Sequence, residues 1–196
     1  MSQTIPGAAL PVIVTAAFAA QPLRPWPISQ KLRIMRALSA LIEGVTRANG
    51  YEFTLTGRVF RGRAIFGDDS PSPCVTILES PQPDPQAATG GLNAEARHEE
   101  WRIFVQGWAD DEDRDNPTDQ LYQLQACVAK RVSEIISARP SGRPINEAAY
   151  MLGGLITGCH IGPGVVRPPV DQVSSKSFFY LPLVITLAVD NQRPFA

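Results

Sequence analysis

The stretch Ile28–Asn49 (ISQKLRIMRALSALIEGVTRAN) limits most sharply what this chain can fold into. On a 3.6-residue wheel, Ile34, Met35, Leu38, Leu41, Ile42 and Val45 fall on one side. Ser29, Arg33, Arg36, Ser39, Glu43 and Arg47 fall on the other. Pro25 and Pro27 block an earlier start, and Asn49-Gly50 reads as a left-handed stop. Glu43 stands four residues before Arg47, the favourable order for an ion pair on an exposed helix face. The spacing predicts an amphipathic helix of roughly 20 residues, about 30 Å long at 1.5 Å per residue. Its apolar side has to be buried against another layer.

A second helix is equally legible. Asn116-Pro117-Thr118-Asp119 offers an N-cap, a proline at the first helical position and an acid in the first turn. Leu121, Leu124, Val128, Val132 and Ile135 then form one narrow stripe. The remaining periodic segments have a period of two. Tyr51–Phe66 alternates as a strand or hairpin with Gly57 or Gly62 at a bend, and Pro73–Glu79 is a short strand with Val75 and Ile77 on one side. Glu99–Trp108 sets Trp101, Ile103 and Val105 against Arg102, Phe104, Gln106 and Trp108, so both faces of that strand are at least partly covered. Ser177–Asp190 places Phe179, Leu181, Leu183, Ile185, Leu187 and Val189 on one face, and Tyr180, Val184 and Ala188 on the other. Pro182 within it cannot donate to a ladder and predicts an edge or bulge at that point.

Together these segments predict an α/β (α+β) fold: a single mixed, mostly antiparallel sheet with two main amphipathic helices packed on it. Leu38, Leu41, Val45, Ile103, Val105, Leu124, Val128, Ile185 and Leu187 are the expected core. The domain organisation is an extended N-terminal arm over residues 1–26, one domain over 27–190 and a C-terminal tail over 191–196. Within the domain, residues 80–98 form an exposed loop rich in Pro and Gly, and 137–176 form an irregular excursion. There, Ala148–Ile156 is expected as a short strand or turn of helix, and Gly158–Pro169 as a loop.

A length of 196 residues with 44% hydrophobic content and a net charge of −1 suits one soluble globular domain with arms and loops. The 18 prolines and 15 glycines account for much turn and extended chain. Cys74, Cys127 and Cys159 are odd in number and widely spaced, which argues for free thiols in a reducing compartment. No apolar run approaches the roughly 18 residues of a membrane helix. Ala17-Phe18-Ala19 superficially resembles a signal-peptide cleavage site, but Pro6 and Pro11 and the missing basic leader argue against export.

No catalytic, metal or cofactor site is expected. Cys159-His160 and the isolated Cys74, Cys127 and His98 match no paired zinc spacing. Asp111, Asp113 and Asp115 imitate the start of a calcium loop, but its glycine position holds Asn116 and its glutamate position Tyr122. Gly153-Gly154 and Gly158–Gly164 lack the lysine and the strand-then-helix setting of a phosphate loop, and no serine sits in a nucleophile elbow.

Charge is distributed unevenly. Between Arg24 and Arg63 eight bases face only Glu43 and Glu52, whereas between Glu95 and Asp119 nine acids face only Arg97, Arg102 and Arg114. The two stretches either neutralise each other within one subunit or meet head to tail between subunits. In the second case Arg58, Arg61 and Arg63, the last two alternating along a strand, approach Asp110, Asp111, Asp113 and Asp115 of the next copy. The arm from Ile5 to Phe18, ending near Trp26, is apolar without a period and is expected to lie against a neighbouring chain or another protein.

The order of pieces also carries a family likeness. An N-terminal amphipathic helix leads through a strand to Pro-Cys-Val-Thr-Ile and a polar loop. Trp-Arg-Ile-Phe-Val-Gln-Gly then precedes an acidic turn and a helix, and Phe-Tyr-Leu-Pro-Leu-Val-Ile-Thr-Leu closes the domain. Over Ile28–Gly107 and Asn116–Asp190 this pattern resembles the tail terminator (tail completion) proteins of long-tailed bacteriophages. The resemblance implies a homohexameric ring that caps the tail tube, stops its polymerisation and joins it to the head–neck connector. It also implies a virion protein assembled in the bacterial host cytoplasm, with DNA passing through the lumen without sequence-specific binding, no membrane, no catalysis and no cofactor. The long arm and the 137–176 excursion depart from the family pattern. Other readings are a different head-to-tail connector or neck protein, or a small-molecule-binding domain or enzyme with a site under 137–176.

Overall fold

A computed structural model describes residues 27–64, 70–80, 88–89, 96–109, 115–169, 176–190 and Phe195. The arm over 1–26, most of the 80–98 loop and most of the 191–196 tail lie outside them. Among the described residues the chain forms one mixed, mostly antiparallel sheet of seven strands with helices packed on it, an α+β fold. The strands are β1 (Val59–Arg61), β2 (Cys74–Glu79), β3 (Ala88–Thr89), β4 (Ala96–Ala109), β5 (Gly158–Ile161), β6 (Val165–Arg167) and β7 (Ser177–Asp190). β4 and β7 pair along all fourteen residues and form the spine. β2 and β3 pair with the other edge of β4, and β5 and β6 with the other edge of β7. β1 joins β2 in parallel, the one parallel pair among the described strands.

Helix α1 (Gln30–Glu43) starts at Ser29, whose side chain accepts from the Leu32 amide. It ends six residues before the expected stop. Gly44 caps it, and the Arg131 guanidinium from the second helix donates to the Leu41 carbonyl at 2.9 Å. A Cβ on Gly44 would run into that guanidinium, so the glycine makes room for a cap supplied by another element. Asn49-Gly50 does end in the left-handed region, with Gly50 at φ 79°, but it closes a short 3-10 turn, Arg47–Asn49. With the helix already ended, Arg47 donates to the Glu52 carbonyl, in place of the expected turn-to-turn pairing with Glu43.

Helix α2 (Asp119–Ser133) begins at Thr118, later than the Asn116-Pro117 signal implies. The Pro117 carbonyl is instead taken by the Ser177 hydroxyl at 2.6 Å, which ties the helix entry to the start of β7. The expected stripe Leu121, Leu124, Val128, Val132 and Ile135 is buried throughout. It packs with Ile34, Leu38, Ile42, Val45, Ile103, Val105, Leu183, Ile185 and Leu187 in one core. Every residue named above as expected core is buried.

Strand lengths differ from the periodic reading in both directions. The described part of the Tyr51–Phe66 segment, up to residue 64, yields only β1, because Gly57 and Gly62, both at φ 69°, turn the chain on either side of it. β4 instead extends back to Ala96, since its first residues find partners in β7 and β3. The Gly158–Pro169 segment, expected as a loop, forms β5 and β6, because the length of β7 offers an edge that they fill. Between the helix end and β5, Met151–Gly154 forms one turn with positive φ at all four residues. For Met151 and Leu152 that conformation costs about 1–2 kcal/mol each. The hydrogen bond that the Met151 amide donates to the Ile135 carbonyl and the burial of Leu152 hold it in place.

Pro182 sits in β7 with strands on both sides, not at the sheet edge. Its carbonyl accepts from Gly162, so its missing donor points the same way, toward the break Gly162–Gly164 between β5 and β6. The proline is tolerated because the neighbouring edge is interrupted opposite it.

Candidate interaction surface

The sheet has two different faces. Odd-numbered residues of β4 from Trp101 onward and of β7 point into the helix-covered core, where Gly107 lies opposite Phe179. A Cβ there would collide with the Phe179 ring, so this glycine accommodates the large side chain. Even-numbered residues form the second face. Among the described residues, the helices contribute their apolar side chains only to the first face, and Cys74, Trp108 and Phe178 form a separate cluster with Phe60.

Register arranges the second face in cross-strand rows. One runs Cys74–Trp108–Phe178, the next Thr76–Gln106–Tyr180–Val165, and the third Leu78–Phe104–Pro182. The first row and the start of the second are buried, including Thr76, whose hydroxyl has no hydrogen-bond partner among the described residues. Exposure rises across the face to 36% at Tyr180 and 44% at Val165. Phe178 and Tyr180 meet edge to face, 5.4 Å between ring centres. Beyond the third row the surface turns polar, through Arg102–Val184–His160 and Glu100–Thr186. The result is an apolar band about three rows deep with a charged margin, the pattern of a protein-contact surface. Phe104, Trp108, Tyr180 and Val184 alternate opposite the core residues in the sequence, and that alternation was the available signal for this face.

The three arginines expected together are separated. Arg58 donates to the Ser72 carbonyl at 2.8 Å. Gly62 ends the strand, so the alternation that would align Arg61 with Arg63 is lost. Arg63 lies over the Phe60 ring at 4.9 Å and donates to the Ser70 hydroxyl. Arg61 lies on the helix side, in a cleft of about 510 Å³ lined also by Lys31, Leu32, Met35, Ile77 and Glu79. Of their expected acidic partners, Asp115 is exposed before α2, while Asp110, Asp111 and Asp113 lie outside the described residues, as do Ile5, Phe18 and Trp26. Part of the charge split is neutralised within the subunit. Lys31 of the basic stretch pairs with Glu99 of the acidic one at 2.5 Å and sits 5.2 Å from the Trp101 ring centre, whose indole donates to Glu79.

A second cleft, about 310 Å³, lies under the 137–169 segment against α1, lined by Ala37, Leu41, Ala149 and Leu152 with Arg131 and Asn146. Its polar groups are occupied with one another. Arg131 caps α1 and binds Glu134 at 2.7 Å, and Asn146 donates to the other Glu134 oxygen at 2.8 Å. Cys159 and His160, adjacent in sequence, point to opposite faces of β5, so they cannot act together on one ligand. Burial pushes the Cys159 thiol up to about 11, the reverse of what an activated nucleophile needs. Among the described residues, no three His, Cys, Asp or Glu side chains are grouped to hold a metal ion, and no helix is long and apolar enough to cross a membrane. No protein-family model matches the chain, and no curated protein matches it either.

Proposed function

We propose that this chain is a structural ring subunit of a long-tailed bacteriophage, a tail terminator that caps the tail tube and joins it to the head–neck connector. The observation that carries the reading is the two-faced sheet. One face is closed by α1 and α2, and the other presents an apolar band with Tyr180 and Val165 exposed. A subunit that must hold neighbours as well as axial partners needs such a surface. The order α1, β2, β4, α2, β7 also agrees with the order of segments on which the family likeness rests. In this reading the ring is a homohexamer, the virion is its place of work, and the chain performs no catalysis. Exposed Arg61 remains available for the acidic connector of the next copy. Such pairs contribute about 0–1 kcal/mol each and set register, while apolar burial supplies most of the affinity.

Gel filtration with light scattering, followed by negative-stain imaging, tests this. The expected particle has about six times the 21.3 kDa chain mass and an axial hole. A compact monomer at high concentration would overturn the ring reading and favour a small-molecule function centred on the Arg131–Asn146 cleft.

A further inference from the structure

We infer that the outer face of the sheet is the docking site for the N-terminal segment Ile5–Phe18 of a neighbouring copy. The inference rests on the ring reading and names the contact that would build the ring. The receiving surface is the row Leu78–Phe104–Pro182 with Tyr180 and Val165 beside it, edged by Val184. These residues are half-buried to exposed, and no described helix packs over them. Leu78, Phe104 and Val184 are too apolar to be a solvated sheet face, where charged and polar side chains alternate with the core positions.

The occupant is argued from length, attachment and composition. Residues 1–26 precede Pro27, and the described chain begins beside the first turn of α1. Lys31 pins that turn to Glu99, on the helix-covered face of β4 and on the polar side of the band. Fully extended, such a segment spans at most about 3.3–3.6 Å per residue, on the order of 90 Å. Crossing the band itself requires only about 20 Å, four to five strands spaced by about 4.8 Å. The segment is therefore several times longer than the band is wide, and the described chain that follows it begins on the opposite face of the sheet. That suits delivery to an adjacent subunit. Its sequence, Ile5-Pro6-Gly7-Ala8-Ala9-Leu10-Pro11-Val12-Ile13-Val14-Thr15-Ala16-Ala17-Phe18, carries no charge. Its uncharged, apolar composition suits the apolar rows up to their edge at Val184, and not the Arg102, His160 and Glu100 side chains beyond.

Disulfide trapping in the full chain tests the contact. Ile13→Cys is combined with Val184→Cys, oxidised under mild conditions, and compared with each single variant. A non-reducible ladder is not expected; a ladder of covalent multimers that collapses on reduction, seen only with the pair and containing the 13–184 disulfide, supports the inference. A 13–184 disulfide within one chain would overturn the assignment to a neighbour. Rings that form normally but give neither disulfide would overturn the docking site and leave the ring reading standing. An unmodified chain that is monomeric would remove the ring reading, and this inference with it. Independently, Phe104→Glu and deletion of residues 1–20 should each give folded subunits that elute at single-chain mass. Intact rings from both variants would overturn the inference.

Discussion

Ile185 and Val184 are neighbours on the same strand and differ by one methylene, yet they occupy different environments. Ile185 is fully buried under the helices, whereas Val184 lies at the margin of the outer face, beside Arg102 and His160. The same contrast runs along β4, from Ile103 and Val105 on one side to Phe104 on the other. On the first face hydrophobic content is satisfied within the subunit. On the second it exceeds what the described helices cover. Apolar alternation therefore marks where burial is needed, and the packing of helices decides which face receives it intramolecularly.

The strongest way to break this contrast is to truncate the closed face. Ile185→Ala, and Leu124→Ala in the same core, should each lower unfolding stability by about 2–5 kcal/mol. Denaturant unfolding of both variants measures this, and losses under 1 kcal/mol at both sites would contradict the packing. Gly107→Ala comes next. Its new methyl would meet the Phe179 ring, and the resulting overpacking should cost about 1–3 kcal/mol, with relief in a Gly107→Ala, Phe179→Leu double variant. The outer face should respond least. Val184→Ala should change subunit stability by less than about 1 kcal/mol, because no core cavity is created. A loss as large as that of Ile185→Ala would show that the second face is closed within the subunit after all.

A titration sharpens the same comparison inside β5, where Cys159 faces the core and His160 the outside. Burial raises the Cys159 thiol from its ordinary value to about 11, so folding favours the protonated form. The associated stabilisation is fully present below the unfolded pKa near 9 and is lost as pH rises through about 11. In a Cys74→Ala, Cys127→Ala background, the rate of thiol modification should keep rising above pH 9 and level off only near 11. A midpoint near 9 would mean that Cys159 is solvated.

Both helices, the four main strand segments and the core stripe were legible from the residues, because periodicity records local geometry together with burial. The sequence also held the apolar alternation of the outer face, through Phe104, Trp108, Tyr180 and Val184. Where elements stop was decided by distant partners. Arg131 ends α1 at Gly44, and Ser177 takes the carbonyl that would have belonged to an earlier start of α2. β5 and β6 exist because β7 offers an unpaired edge, and Pro182 is accommodated because that edge is broken opposite it. Likewise, alternate arginines predict a common face only while the strand continues, and Gly62 ends it between Arg61 and Arg63. By itself, the sequence determined which side chains require burial and with what period. Tertiary structure decided the length of each element and the surface each face meets, because caps, ladder partners and uncovered edges are contacts between residues far apart in the chain.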